Sequence, residues 1–268
     1  MSAEFLAAAP VLKVVFYAAG SVKGFVTDEV WSRGILISSA WAANSVPVAE
    51  YTLASILLSL KRFWHFFRAA RSEDGRPEVH TIPGAYHSKV GLISLGAVGC
   101  ATARLLKPFD LTLLAYDPIF PPELASELNI GLVPLDELFR ECDVVSIHAP
   151  WIPETERMIT GKLIASMKEG ATLINTSRGA VVAEDEMIEV LARRTDLSAI
   201  LDVTYPEPPA RDSRLRSLPN VVLTPHIAGS MQGECERMSK WMTDDLRRFL
   251  TGDPLLHMVT REQLARMA

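Results

Sequence analysis

An α/β fold built on a doubly wound parallel sheet is the class this sequence predicts, and three observations predict it. From Lys89 onward short apolar runs alternate with stretches of helical spacing. Those runs are nearly continuous in apolar residues, as strands are when both faces of a parallel sheet are covered. The first of them, "KVGLISL", passes through a glycine turn straight into a helix, "GCATARLLKPF".

The elements follow in order. "VLKVVFYAA" and "GILISSA" read as buried strands, with "VTDEVWSRG" between them as a helix turn closed by Gly34. Ser45 is expected to cap a long helix, "VPVAEYTLASILLSLKRFWHFFRAARS", with Pro47 tolerated in its first turn. Leu53, Ile56, Leu57, Leu60, Trp64 and Phe67 keep helical spacing there, and Phe63 and Phe66 widen the stripe. Such a helix is either an internal core helix or one that packs on a second copy of itself. "SEDGRPEVHTIPGAYHSK" is a polar connector punctuated by Gly and Pro. After "KVGLISL" and its helix come the strand "LTLLAYD", the helix "PLDELFREC" and the strand "DVVSIHAP". The helix "TGKLIASMK", the strand "TLINTS", the helix "AEDEMIEVLARR" and the strands "LSAILDV" and "NVVLTP" complete the alternation. A last amphipathic helix lies within "SMQGECERMSKWMTDDLRRFLTGD". There is no repeat at a fixed period.

Composition narrows the function. A chain of 268 residues, 49% of them hydrophobic, can bury one large core or two modest ones. Its net charge of -5 argues against nucleic acid as the main partner. Cys100, Cys142 and Cys235 lie far apart with no CxxC pair, which fits a reducing compartment and no metal site. No apolar run is long enough to span a membrane, and "MSAEFLAAAP" lacks the basic start of a signal peptide. A cytoplasmic location is expected.

The glycine turn "GLISLGAVGC" carries the first chemistry. In a dinucleotide turn the first glycine permits tight geometry, the second lets the backbone approach pyrophosphate, and the third allows close helix packing. Those positions are Ser94, Gly96 and Gly99, so the first glycine is a serine. The following helix can aim its N-terminal dipole at phosphate. Asp117 ends the next strand, 18 residues after Gly99, where a carboxylate accepts from ribose hydroxyls and repels a 2′-phosphate. NAD is therefore expected over NADP. Cys100 is either a stabilised thiolate at the helix start or a small packed residue.

Arg178, Glu207 and His226 fall at strand ends or in the loops that follow, where open α/β sheets gather their active sites. Histidine moves protons near neutral pH, a carboxylate beside it favours the imidazolium, and a guanidinium clamps a carboxylate. Exchange of a hydride between a 2-hydroxy acid and a nicotinamide needs that set.

"VGLISLGAVG", "AYDP", "INTSRGAVV", "LDVTYPEPP" and "TPHIAG", together with "AANSVPVAEYTLA", closely resemble the D-isomer-specific 2-hydroxyacid dehydrogenases. The resemblance covers almost the whole chain. It implies NAD-linked interconversion of a 2-oxo acid and a D-2-hydroxy acid, with Arg178 binding substrate, Glu207 pairing with His226, and His226 as acid/base. It places Asp202 near the nicotinamide carboxamide, Ala149, Thr176 and Ser177 along the cofactor, and Ala97 and Val98 at the pyrophosphate. Backbone amides of Ala19, Gly20, Ser21 and Val22 would hold the substrate carboxylate, although "AAGSVKG" stands where the family more often shows Gly-x-Gly and an acidic residue. Lys23 either assists the anion or is solvated.

The implied architecture is a Rossmann-type NAD domain over 46–229 and a flavodoxin-like substrate domain from 1–45 plus 230–268. Only about ten residues precede "LKVVFYAA", so the substrate domain is expected to lack its N-terminal part. A homodimer is expected to cover the remaining apolar surface. The competing reading is a silent NAD-binding sensor or scaffold of the same fold.

Overall fold

The structure is a computed structural model that describes residues 1–71 and 82–267. Part of the expected connector, 72–81, lies outside the described residues. The chain divides into two compact units, Met1–Pro47 with Gly229–Ala268, and Val48–Ala228.

The larger unit holds a parallel sheet of seven strands: β3 (Lys89–Ile93), β4 (Thr112–Tyr116), β5 (Ile130–Leu132), β6 (Val144–Ile147), β7 (Thr172–Asn175), β8 (Ser198–Leu201) and β9 (Val221–Leu223). Their order across the sheet is β5-β4-β3-β6-β7-β8-β9, so the winding reverses between β3 and β6. Ligands of open α/β sheets bind in the crevice at that switch point, outside the carboxyl ends of the strands.

Successive strand residues face opposite sides of a sheet, and here both sides are apolar. Val145, Leu173 and Ala199 enter one core with Leu138, Phe139 and Ile164. They bring in α7 (Leu135–Glu141), α8 (Gly161–Ala165) and α9 (Glu184–Arg193). Their neighbours Val144, Ile174 and Ile200 enter the other core with Ile56, Leu60, Ala103 and Leu106. That side is covered by α3 (Trp41–Leu60), α5 (Ala97–Leu106) and α6 (Pro122–Glu127). The doubly wound sheet explains why the strands read as continuous apolar runs.

The long helix α3 differs from expectation. It begins at Trp41, upstream of Ser45, because the alanine-rich "AWAA" already favours helix. Ser45 is no cap; its hydroxyl donates back to the Ala42 carbonyl at 2.7 Å. The helix also does not run on to residue 72. Arg62 takes a left-handed conformation, φ 48°, and α4 (Phe63–Ala69) starts afresh after it. The Leu60 carbonyl, freed at the break, accepts from the Gly84 N–H at 3.0 Å.

In the smaller unit β1 (Val14–Tyr17) and β2 (Leu36–Ser39) pair in parallel, Val14 opposite Leu36 and Tyr17 opposite Ser39. Leu6 of α1 (Ala3–Ala8), Val30 of α2 (Asp28–Ser32), Ile37 and Val259 form one buried cluster there. Ala40 and Ala43 pack on Met238 and Met242 of α10 (Glu234–Thr251). A short α11 (Arg261–Arg266) carries a capping box from Thr260 and Gln263.

Asp245 ties this unit together. It is fully buried and accepts from the Ser38 hydroxyl at 2.6 Å, Leu256 N–H at 2.9 Å and His257 N–H at 3.0 Å. Among the described residues no helix is long and apolar enough to cross a membrane.

Candidate active site

The dinucleotide turn leaves β3 at its carboxyl end. Ser94 sits in the left-handed region, φ 75°, the conformation a first glycine would supply without strain. Its N–H bonds to the Tyr116 carbonyl at 2.9 Å, which holds the turn against β4. The two glycines act differently. A Cβ on Gly99 would stand 2.2 Å from the Ser94 carbonyl oxygen, so only glycine lets the helix seat on the turn. A Cβ on Gly96 would meet no protein atom within 4 Å. Gly96 therefore borders a cradle, at the N-cap of α5, whose first turn has no side-chain cap. Open space beside uncapped helix N–H groups fits the pyrophosphate of a dinucleotide.

Asp117 stands at the end of β4 beside that turn. Its carboxylate accepts from Leu95 N–H at 2.8 Å, from Ile119 N–H at 3.0 Å and from Phe120 N–H at 3.1 Å, and lies 3.5 Å from the Ser94 hydroxyl. It fixes the turn as well as offering negative charge. Cys100 is a packed thiol rather than a thiolate: burial raises its pKa, and Sγ donates to the Leu95 carbonyl.

The loop after β7 is ordered by Asn175, a residue that the sequence places inside the motif without marking a role for it. Asn175 Oδ1 accepts from the Ser177 N–H and hydroxyl, and Nδ2 donates to the Arg178 carbonyl. This is the local side-chain mimicry of a turn for which asparagine is suited. Thr176 meets Thr52 of α3, Oγ1 to Oγ1 at 3.3 Å. Ala149, Thr176 and Ser177 are all buried, so they can present mainly backbone to a ligand. Burial lowers the pKa of the Arg178 guanidinium, and the Glu207 carboxylate opposes that shift. Nη1 of Arg178 donates to the Ser177 carbonyl at 2.6 Å.

Glu207 and His226 come from the loops after β8 and β9. Glu207 Oε1 and His226 Nδ1 lie 2.5 Å apart. Nδ1 is thereby taken by the carboxylate, and Nε2 is the ring nitrogen left to exchange a proton. His226 itself is left-handed, φ 56°, which costs roughly 1–2 kcal/mol for a residue with a Cβ.

What holds that conformation is Asp202, fully buried at the end of β8. Its carboxylate accepts from Thr224 Oγ1 at 2.6 Å, Ile227 N–H at 2.8 Å and Ala228 N–H at 2.9 Å, while its carbonyl accepts from the His226 N–H at 3.0 Å. Thr224 in turn meets the half-buried Tyr51 hydroxyl at 3.0 Å. Tyr51 and Thr224 lie within the motifs quoted above, but nothing in the sequence marks them as a chain leading to Asp202.

In the smaller unit Ala19, Gly20 and Ser21 follow β1 and are half-buried. Val22 turns its side chain wholly into the core, so only its backbone can face a ligand. Among the described residues no group of three or more His, Cys, Asp or Glu could hold a metal ion.

Residues 53–228 match the family described as D-isomer specific 2-hydroxyacid dehydrogenase, NAD binding domain. A glyoxylate reductase of Korarchaeum cryptofilum is 31% identical over 266 residues, 98% of this chain and 80% of that protein. A D-3-phosphoglycerate dehydrogenase of Archaeoglobus fulgidus is 30% identical over 261 residues, 97% of this chain; the chain spans about half of its length, 49%. The structure of D-lactate dehydrogenase with NAD+ from Lactobacillus jensenii superposes with a TM-score of 0.81 at 25% identity, over 96% of this chain and 81% of that one. The chain belongs to the D-isomer-specific 2-hydroxyacid dehydrogenases, NAD-linked oxidoreductases built on a Rossmann-type domain.

Proposed function

We propose that His226 is the acid/base of the reaction between a 2-oxo acid and a D-2-hydroxy acid, that Glu207 orients its ring, and that Arg178 binds the substrate. The observation that carries this reading is the 2.5 Å pairing of His226 Nδ1 with Glu207 Oε1. It leaves Nε2 to give a proton to the oxo oxygen or take one from the hydroxyl. A guanidinium binds a carboxylate through two parallel N–H groups and polarises a carbonyl beside it. When bound, the nicotinamide supplies hydride exchange with the carbon that carries this oxygen.

Ser94, Gly96, Ala97, Val98 and Gly99 would hold the pyrophosphate of NAD, and Asp117 its adenosine ribose. Ala149, Thr176 and Ser177 would line the rest of the cofactor, with Asp202 near the carboxamide. The backbone of Ala19, Gly20, Ser21 and Val22 would take the substrate carboxylate. On this reading residues 46–229 are the NAD domain, and 1–45 with 230–268 the substrate domain.

We also place the protein in the cytoplasm as a homodimer. The exposed Phe63 and Phe67 of α4, stacked at 5.9 Å between ring centroids, support a second copy as partner.

NADH oxidation against a panel of 2-oxo acids tests the reading, with His226→Ala beside the unaltered protein. The variant should lose activity by about 10²–10⁴-fold and keep its NADH affinity. Undiminished turnover by the variant rejects the assignment.

A further inference from the structure

The loop Ala19–Gly20–Ser21 offers an anion no charged side chain, only the Ser21 hydroxyl and its backbone amides, so that backbone must be aimed. Ser39, the last residue of β2, is completely buried and lies opposite Tyr17, from which that loop departs. Its hydroxyl donates to the Gly20 carbonyl at 2.7 Å and, as the weaker branch of the same bond, to the Ala19 carbonyl at 3.1 Å. The strand does not need this hydroxyl, since the Ser39 N–H bonds to the His257 carbonyl and the Ala40 N–H to Tyr17.

A trans peptide holds its C=O and the following N–H on opposite sides. The peptides at Ala19–Gly20 and Gly20–Ser21 are both trans. Carbonyls of Ala19 and Gly20 drawn inward to Ser39 therefore turn the N–H groups of Gly20 and Ser21 outward. Two successive amides set to one side make a concavity for an anion. The far end of the loop is anchored by the buried Val22 side chain. Asn44 stands on another flank, with Nδ2 3.7 Å from where a Gly20 Cβ would be and Oδ1 accepting from the Ser230 N–H at 2.8 Å.

We infer that Ser39 is a positioning residue for substrate recognition, orienting the Gly20 and Ser21 amides toward the carboxylate of the 2-oxo acid. This rests on the reading of Ala19–Val22 as the carboxylate loop. It touches neither the proton transfer nor the cofactor.

The test uses the full chain with NADH bound and two readouts, steady-state reduction of a 2-oxo acid and direct binding of oxamate, an unreactive carboxylate of the same shape. Ser39→Ala should raise both the KM and the oxamate Kd by roughly fivefold to tenfold, the effect of one lost hydrogen bond. Its kcat and NADH affinity should stay within about twofold, and Ser39→Thr, which keeps the hydroxyl, should restore oxamate binding. If the alanine variant does not fold, Ser39→Cys keeps the volume with a feeble donor and should move both readouts the same way. Oxamate bound as tightly by the variants as by the unaltered protein overturns the inference, and so does an equal loss of NADH affinity. If the unaltered protein reduces no 2-oxo acid yet loses oxamate on Ser39→Ala, the proposed reaction fails and the role of Ser39 stands.

Discussion

A Cβ placed on Gly179 would lie 2.0 Å from the carbonyl carbon of Thr204. The loop that carries Arg178 is thus pressed against the backbone of the loop that leads to Glu207, and no side chain fits between them. Gly179→Ala must push one loop away. Displacing catalytic groups by about 1 Å can cost 10²-fold, so kcat/KM should fall by that order. Thermal unfolding should show a loss of about 1–3 kcal/mol, as for other overpacked sites. Full activity in the variant would mean that the two loops move independently.

On the proposed reading Asp117 sets cofactor choice. NADH should bind far more tightly than NADPH, because a 2′-phosphate would stand against the carboxylate. Asp117→Ser should narrow the ratio by about tenfold. It should also weaken NADH itself, since the Leu95, Ile119 and Phe120 N–H groups lose their acceptor. Fluorescence titration with both cofactors measures the two effects together. Equal affinities in the unaltered protein would remove Asp117 from this role.

Asp245 should make the protein acid-sensitive. Burial alone would raise its pKa, but the Ser38 hydroxyl and the Leu256 and His257 N–H groups outweigh burial and hold the carboxyl below its ordinary value. A depressed carboxylate pKa adds stability that is complete above the unfolded value near 4 and is lost as pH falls through the folded one. Asp245→Asn should cost about 2 kcal/mol at pH 7 and flatten this acid limb in denaturant titrations. An unchanged limb would show that other carboxylates set it.

His148 gives a second pH dependence in a different window. It is buried at the end of β6 with neither ring nitrogen partnered among the described residues, and burial pushes its pKa down to about 4. The unfolded imidazole takes its proton near 6.5, so stability should decline as pH falls from there toward 4, by roughly 3 kcal/mol in all, and then level off. His148→Leu should remove that decline. A variant that keeps the same slope from pH 6.5 to 4 would exclude His148 as its source.

The sheet was legible because strand residues such as Val144 and Val145 must both be apolar when each face is covered, and that leaves a continuous run. β5, with only Ile130, Gly131 and Leu132, is too short to leave such a trace. The upstream start of α3 was hidden because Ser45 is a good cap by type, while its actual bond is to a carbonyl behind it. The break at Arg62 turns on one dihedral angle that side-chain spacing does not encode. At the site, His226, Glu207 and Arg178 were visible as chemically capable residues at strand ends. Asn175 was not, because its bonds shape only the backbone of its own loop. Thr224 and Ser39 were not, because their partners, the Asp202 carboxylate and Tyr51 hydroxyl for one and the Ala19 and Gly20 carbonyls for the other, come within reach only in the folded chain.

Asp202 has a consequence for how relatives of this protein are read. The Asp202 carbonyl takes the His226 N–H, and the segments on either side of His226 are held by the Asp202 carboxylate, which serves three donors, none of them on the imidazole. A duplicated copy of the gene could drift at that single position and keep arginine, glutamate and histidine in perfect alignment. On the proposed mechanism such a copy would lose the support that aims His226 while keeping every letter of the proton-transfer pair, and a roll-call of active-site letters would count it as alive.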